Sequence, residues 1–360
     1  MKERKPLFVI RDKKTNVIFF YMLFTAVFII SFLSCSHKND KPVEFKSMFT
    51  LIDSLLLGDS NSISQPIDVA ELDDSLFVYT DFWARSIFYY NRKTGRIKKL
   101  GRTGKGPGEY IWPEKLIVRE RKILFSDFQA RTIQNIDISG KCYSKISCNV
   151  PIRRFCVDDS LNYYVLSAKE YNLFVFNRSG NLIKKLYPVN KKYKYPISVS
   201  HGGGICYDGK GHLFLSSVVG DKIFKLNTAD LSSEQEISRK KSPVYREVPK
   251  EIQGDLYLNL KPETRRKFVN KMSVLMNLYF IDSGKGYIAV SLKDYEDLLV
   301  MEIRNTNLKL LKTVFFQDNE YPIGCTKDEF YTIEEKSESG NKDTEETVEF
   351  WLKIYHIKSL

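Results

Sequence analysis

One pattern recurs six times in this chain and limits what it can fold into. A polar turn leads into an alternating strand, and a polar gap separates that strand from a second one. The copies begin at Asp73, Lys122, Asp158, Asp208, Asp282 and Lys327. In the first, residues 73–79 are followed by 87–91 and 94–100; in the third, 158–164, 173–177 and 179–186 overlay on them. Alternation with period two marks half-buried strands, and the Gly- and Asn-containing segments between them supply tight reversals. A further strand precedes most copies, its start marked by Pro66, Pro113, Pro151, Pro196 or Pro322. Proline is tolerated at a strand's first residue, where no ladder bond is lost. Six units of four strands predict an all-β chain, a six-bladed β-propeller with four-stranded blades. A pair of sandwiches would not explain six copies of one unit. The aromatic content, 21 Tyr and 24 Phe, suits pleated surfaces.

The spacing breaks once. Residues 232–277 carry Arg239-Lys240-Lys241 and a helix-like run at 263–272, and read as a small helical insertion between blades 4 and 5. The acidic stretch 334–349 reads as a long hairpin inside the last unit. That unit ends a strand short, and residues 45–57, with Phe49, Leu51 and Leu55, are expected to supply the missing edge and close the ring. The propeller domain is thus placed at 45–360.

The first forty residues read as an address. Six basic and two acidic groups in residues 1–16 precede an apolar run from Val17 to Leu33, which ends in Ser34-Cys35. That order is a secretory signal, residues 1–34, with Cys35 as the residue acylated after cleavage and 35–44 as a tether. Phe32 stands where such signals usually carry Leu. An uncleaved anchor is the competing reading, since 17 apolar residues barely span a bilayer. Cys142, Cys148, Cys156, Cys206 and Cys325 remain, and their spacing matches no zinc pattern. Cys142 and Cys148 either bridge or join the others as small buried hydrophobes.

Cys35, the six units and the stretch Gly101-Arg102-Thr103-Gly104-Lys105-Gly106-Pro107-Gly108-Glu109-Tyr110 together resemble the six-bladed β-propeller lipoproteins of Bacteroidetes. More distantly, the repeats look like those of NHL propellers, which include binding scaffolds and lyases. The resemblance implies fold and envelope location but no particular activity.

Chemistry-bearing motifs are sparse. The glycine-rich stretch lacks the Ser or Thr that follows the lysine of a phosphate-binding loop, and no long helix follows it. Its alternative is a tight inter-blade turn needing positive φ. His201-Gly202-Gly203-Gly204 resembles an esterase oxyanion motif, yet no Gly-x-Ser-x-Gly elbow exists in the chain. Four scattered histidines suggest neither a metal site nor a cofactor. A net charge of +12 on an exported chain without a nucleic-acid motif points away from nucleic acid, and the basic runs read as solvated surface.

Propellers carry function on loops around the channel mouth. By blade position, that mouth should gather Gln65, Arg102, Tyr110, Trp112, Arg153, Arg154, Tyr195, His201 and Tyr321, an aromatic and cationic rim. Such a rim suits a glycan, a peptide or a carboxylate-bearing ligand. No nucleophile–base pair is legible, so the expectation is a monomeric outer-membrane lipoprotein that binds or scaffolds a glycan, peptide or envelope protein, facing either side. The competing reading is a propeller-type lyase or hydrolase using channel carboxylates and a divalent cation.

Overall fold

The computed structural model describes residues 42–59, 62–167, 169–193, 202–217, 219–282, 284–293, 299–338 and 347–358. The signal segment, Cys35, Tyr195 and His201 lie outside the described residues. Six sheets of four antiparallel strands form the ring. Blade 1 runs from its inner strand Pro66–Asp73 through Leu76–Asp81 and Ser86–Asn91 to its outer strand Arg96–Leu100. Blades 2 to 5 repeat that order, with inner strands Pro113–Arg119, Arg154–Val157, Gly204–Tyr207 and Val274–Ile281.

Blade 6 closes the ring as expected. Its inner three strands are Glu320–Cys325, Phe330–Glu338 and Thr347–Ile357, and the fourth is the N-terminal strand Phe49–Asp59, antiparallel to Thr347–Ile357. Just upstream, Val43–Glu44 adds a short parallel fifth strand to blade 5. Phe45 then plugs the seam between blades 5 and 6, stacking on Phe49 at 4.2 Å and on Phe316 at 4.5 Å.

Burial follows position in the blade. Second strands such as Lys122–Asp127 are packed on both faces, so they read as apolar runs rather than clean alternations. Outer strands such as Ser233–Ser238 are largely exposed. The core is accordingly divided into clusters between neighbouring blades; Val78, Ile87, Tyr110, Ile123 and Phe125 seal blades 1 and 2.

The insertion is narrower than the spacing suggested. Ser233–Ser238 is the outer strand of blade 4, and residues 274–277 already belong to the inner strand of blade 5. Between them lie two 3₁₀ turns and the helix Pro262–Val269, around a small core of Val248, Ile252, Tyr257 and Met272 that also takes in Val219 of blade 4. Arg239, read from sequence as surface charge, is 1% exposed and ion-paired with Glu302 of blade 5, so it pins the insertion's start to the ring.

The five described cysteines are all free thiols. The strand Cys142–Ser147 explains why the first two do not bridge. Six residues of extended chain put their Cα atoms about 20 Å apart, and a disulfide needs about 4.4–6.8 Å. Among the described residues, no helix is long and apolar enough to cross a membrane.

Candidate functional site

The glycine-rich connection does not cross the channel mouth. It leaves the outer strand of blade 1 and drapes over the outer half of blade 2, where the Gly108 N–H donates to Gln134 (2.9 Å) and the Lys145 ammonium to the Gly106 carbonyl (3.3 Å). Gly108 has φ +76°, and a Cβ there would meet the Gly140 carbonyl at 2.6 Å. The loop's anion-binding groups are satisfied from within: Glu109 accepts from Arg102 Nε at 2.7 Å and from the Gly106 N–H at 2.8 Å. Hydrogen bonding to the Gly106 amide and to Arg102 lowers the Glu109 pKa from its usual carboxylate value. Arg102 therefore sits on the outer circumference. Tyr110 is fully buried, and its hydroxyl donates to the Leu100 carbonyl and accepts from the Ile87 N–H at 3.3 Å. It is an inter-blade seal.

Trp112 and Arg153 do come together, through residues that sequence reasoning missed. On the face where inner strands begin, the loops joining second to third strands read Asp81-Phe82-Trp83-Ala84-Arg85 in blade 1 and Asp127-Phe128-Gln129-Ala130-Arg131 in blade 2. Asp81 accepts from the N–H groups of Ser64, Gln65 and Ala84; Asp127 accepts from those of Ile111, Trp112 and Ala130. Each carboxylate thus ties the loop to the start of its own inner strand and fixes the aromatic that follows it. Rings run on from Trp83 to Phe82 (4.9 Å), Trp112 (5.1 Å) and Phe128 (6.1 Å). Arg85 lies 4.5 Å over Trp112 and Arg153 5.2 Å over Phe128. The repeated Asp-Phe-x-Ala-Arg was the available signal.

Arg154 and Tyr321 serve the ring itself. Arg154 donates to the Arg153 carbonyl (2.8 Å) and faces Glu114 at 3.7 Å, while the Tyr321 hydroxyl donates to the Pro66 carbonyl at 3.3 Å, joining blades 6 and 1.

The channel opens on the opposite face, where inner strands end. A cavity of about 710 Å³ is lined by all six inner strands, and none of the predicted rim residues among the described ones touches it. Lys115 stands in its wall, donating to Asp68 at 2.8 and 3.1 Å. Burial raises the Asp68 carboxyl pKa, against the pull of Lys115, and likewise that of Glu114, against Arg154 and Arg153. The walls are mainly apolar, with Val69, Leu116, Phe155, Ile205 and Phe280. Three thiols also line them, Cys156, Cys206 and Cys325. Burial holds all three protonated, Cys325 with its pKa pushed up to about 12, so they present soft apolar surface rather than nucleophiles.

Apart from Lys115, which Asp68 neutralises, and Glu71, the cavity's charges gather at its rim. Arg119 pairs with Asp159 (3.7 Å) and Lys210 with Asp282 (3.3 Å), while Tyr207 donates to Asp159 at 2.8 Å. Among the described residues, Lys327 on the same rim has no ion-pair partner, and no group of three His, Cys, Asp or Glu side chains is placed to hold a metal ion.

A family model described as a 6-bladed beta-propeller, DUF5128, matches residues 33–333. The chain belongs to this family. No curated protein matches it. Among solved structures, this six-bladed propeller is similar to a protein of Bacteroides fragilis described as exported, with 14% identity, TM-score 0.60, and coverage of 88% of this chain and 97% of that one. It is similar to a DUF4221 family member from Bacteroides vulgatus at 10% identity and TM-score 0.59, covering 87% and 98%. It also resembles the virginiamycin B lyase of Staphylococcus aureus at 11% identity and TM-score 0.52, covering 86% and 100%. At these identities the likeness is one of fold.

Proposed function

We propose that this propeller is a lipid-anchored protein of the cell envelope, held at the outer membrane through Cys35, that binds a glycan, peptide or protein partner. The observation that carries the reading is the channel cavity. Its volume of about 710 Å³ falls in the usual range of ligand pockets, and apolar walls ending in a charged rim suit an amphiphilic segment. The charge–apolar–Cys order of residues 1–35 supports the anchor. Mass spectrometry of the native N-terminal peptide is expected to find an acylated Cys35 and no residue before it; an intact unmodified Met1 contradicts the anchor.

A peptide and glycan screen against the full-length protein, with Ala70→Phe as the channel-filling variant, tests the binding reading. Ala70 lines the cavity beside the seam of blades 1 and 2, so ligand is expected to bind the wild type and to be lost in a variant that still melts cooperatively, if at a somewhat lower temperature. The second reading is a lyase or hydrolase, the activity in the name of one neighbour of the same fold, the virginiamycin B lyase. Asp68 and Glu114, whose burial raises their pKa, are held by Lys115 and Arg154 behind the cavity wall. Metal analysis separates the two: a stoichiometric divalent cation held in the channel, with turnover that depends on it, supports the enzyme.

A further inference from the structure

The face opposite the cavity carries a second, unrelated surface. Trp83 is 68% exposed, and among the described residues its one ring contact is edge-on to Phe82, so the indole stands out from the loop. It is the outer end of the ring series through Phe82 and Trp112 to Phe128, which crosses from blade 1 to blade 2. Exposing an indole to water is unfavourable by its apolar area, and aromatic anchors of this kind concentrate binding energy.

The charges around these rings are sorted by depth. Asp81 and Asp127 are fully buried, and their carboxylates hold backbone N–H groups; Glu114 is 4% exposed and turned to Arg154. The outward charges are Arg85 and Arg131, at the same position of two successive loops, both exposed and neither paired with a carboxylate among the described residues. Solvent therefore meets one open indole, Trp83, with the exposed Arg85 two residues on and Arg131 at the same place in the next loop. Aromatic faces stack on the C–H faces of sugar rings, and guanidinium forks take carboxylates. The two arginines repeat with the blades, which suits a ligand that repeats its own charge along a chain.

We infer that the tandem Asp-Phe-x-Ala-Arg loops form a platform for an acidic oligosaccharide, with Trp83 stacked on a sugar ring and Arg85 and Arg131 holding successive carboxylates. This rests on the binding-module reading but not on the channel. Titration calorimetry of the full-length protein with an oligogalacturonate is the test, with a neutral gluco-oligosaccharide and polyglutamate as comparison ligands. Oligogalacturonate should bind best. Trp83→Ala should weaken it by about tenfold, and Arg85→Ala with Arg131→Ala should weaken it and flatten its salt dependence. Both sites are exposed, so the melting temperature should not move. Equal binding of polyglutamate, or binding untouched by Trp83→Ala, overturns the proposal, as does no binding. Ala70→Phe tells the two readings apart: the platform predicts oligogalacturonate binding unchanged by a filled channel.

Discussion

Glu302 lies wholly buried in blade 5, with Arg304 Nη2 at 2.7 Å, Arg239 Nε at 3.3 Å and the Ser242 hydroxyl donating to it. Burial alone would raise its pKa; Arg239 and Arg304 outweigh that and bring it down to about 2. Glu302→Gln leaves two guanidinium groups in the core without their anion, at a cost of about 3–5 kcal/mol. The sign with pH is set by the depressed pKa: the ion cluster stabilises the fold fully above the unfolded value of 4.5 and loses that contribution as pH falls toward 2. Asp68 and Glu114, with raised pKa values, act in the opposite sense, so the comparison must be wild type against variant. Urea melts should show a gap that is widest at neutral pH and narrows below pH 5; a gap independent of pH contradicts this role. Arg239 also marks a limit of sequence reading. Three consecutive basic residues look solvated, and nothing local announces an acid 63 positions away.

At the scale of elements, the N-terminal strand carries the sharpest lesson. Its alternation is poor because the register shifts twice, between Leu51 and Asp53 and between Leu56 and Gly58, so bulges reset which face is buried. Phe49 and Leu57 are buried, while Leu51, one of the three residues expected to form the edge, is 49% exposed. That a strand was missing could be read from the short last unit; which side chains would face in could not. Deleting residues 42–59 should lower the melting temperature clearly. Phe45→Ala alone should cost about 3–5 kcal/mol, as for a large side chain removed from a packed core. An unchanged melting curve in either would mean that the ring is held by the last blade alone. The glycine-rich loop shows the converse. Its positive-φ turn was legible from four glycines, but its course over the outer strands depends on Gln134, Gly140 and Lys145 of the next blade.

For the molecule as a whole, period-two patterning and turn residues carried the number of blades and strands, because blades 1 to 4 and the first four strands of blade 5 are contiguous chain and only blade 6 borrows its outer strand from the N-terminus. The channel is not. Lys115 and Asp68, 47 residues apart, meet only through the twist of two inner strands. Hence the cavity's wall, its thiols and the face on which it opens were beyond sequence reading, while of the predicted rim Trp112 and Arg153 meet on the other face, Arg102 lies on the outer circumference and Tyr110 in the seam of blades 1 and 2. Part of that rim survives as the aromatic surface around Trp112. The central claim is that the channel on the cavity side holds a ligand, and native mass spectrometry of the full-length protein purified from its own envelope tests it most directly. The account predicts a non-covalent organic adduct on the wild type that is absent from Ala70→Phe. The same adduct on both proteins, or a wild type carrying only a tightly held divalent metal, would contradict it.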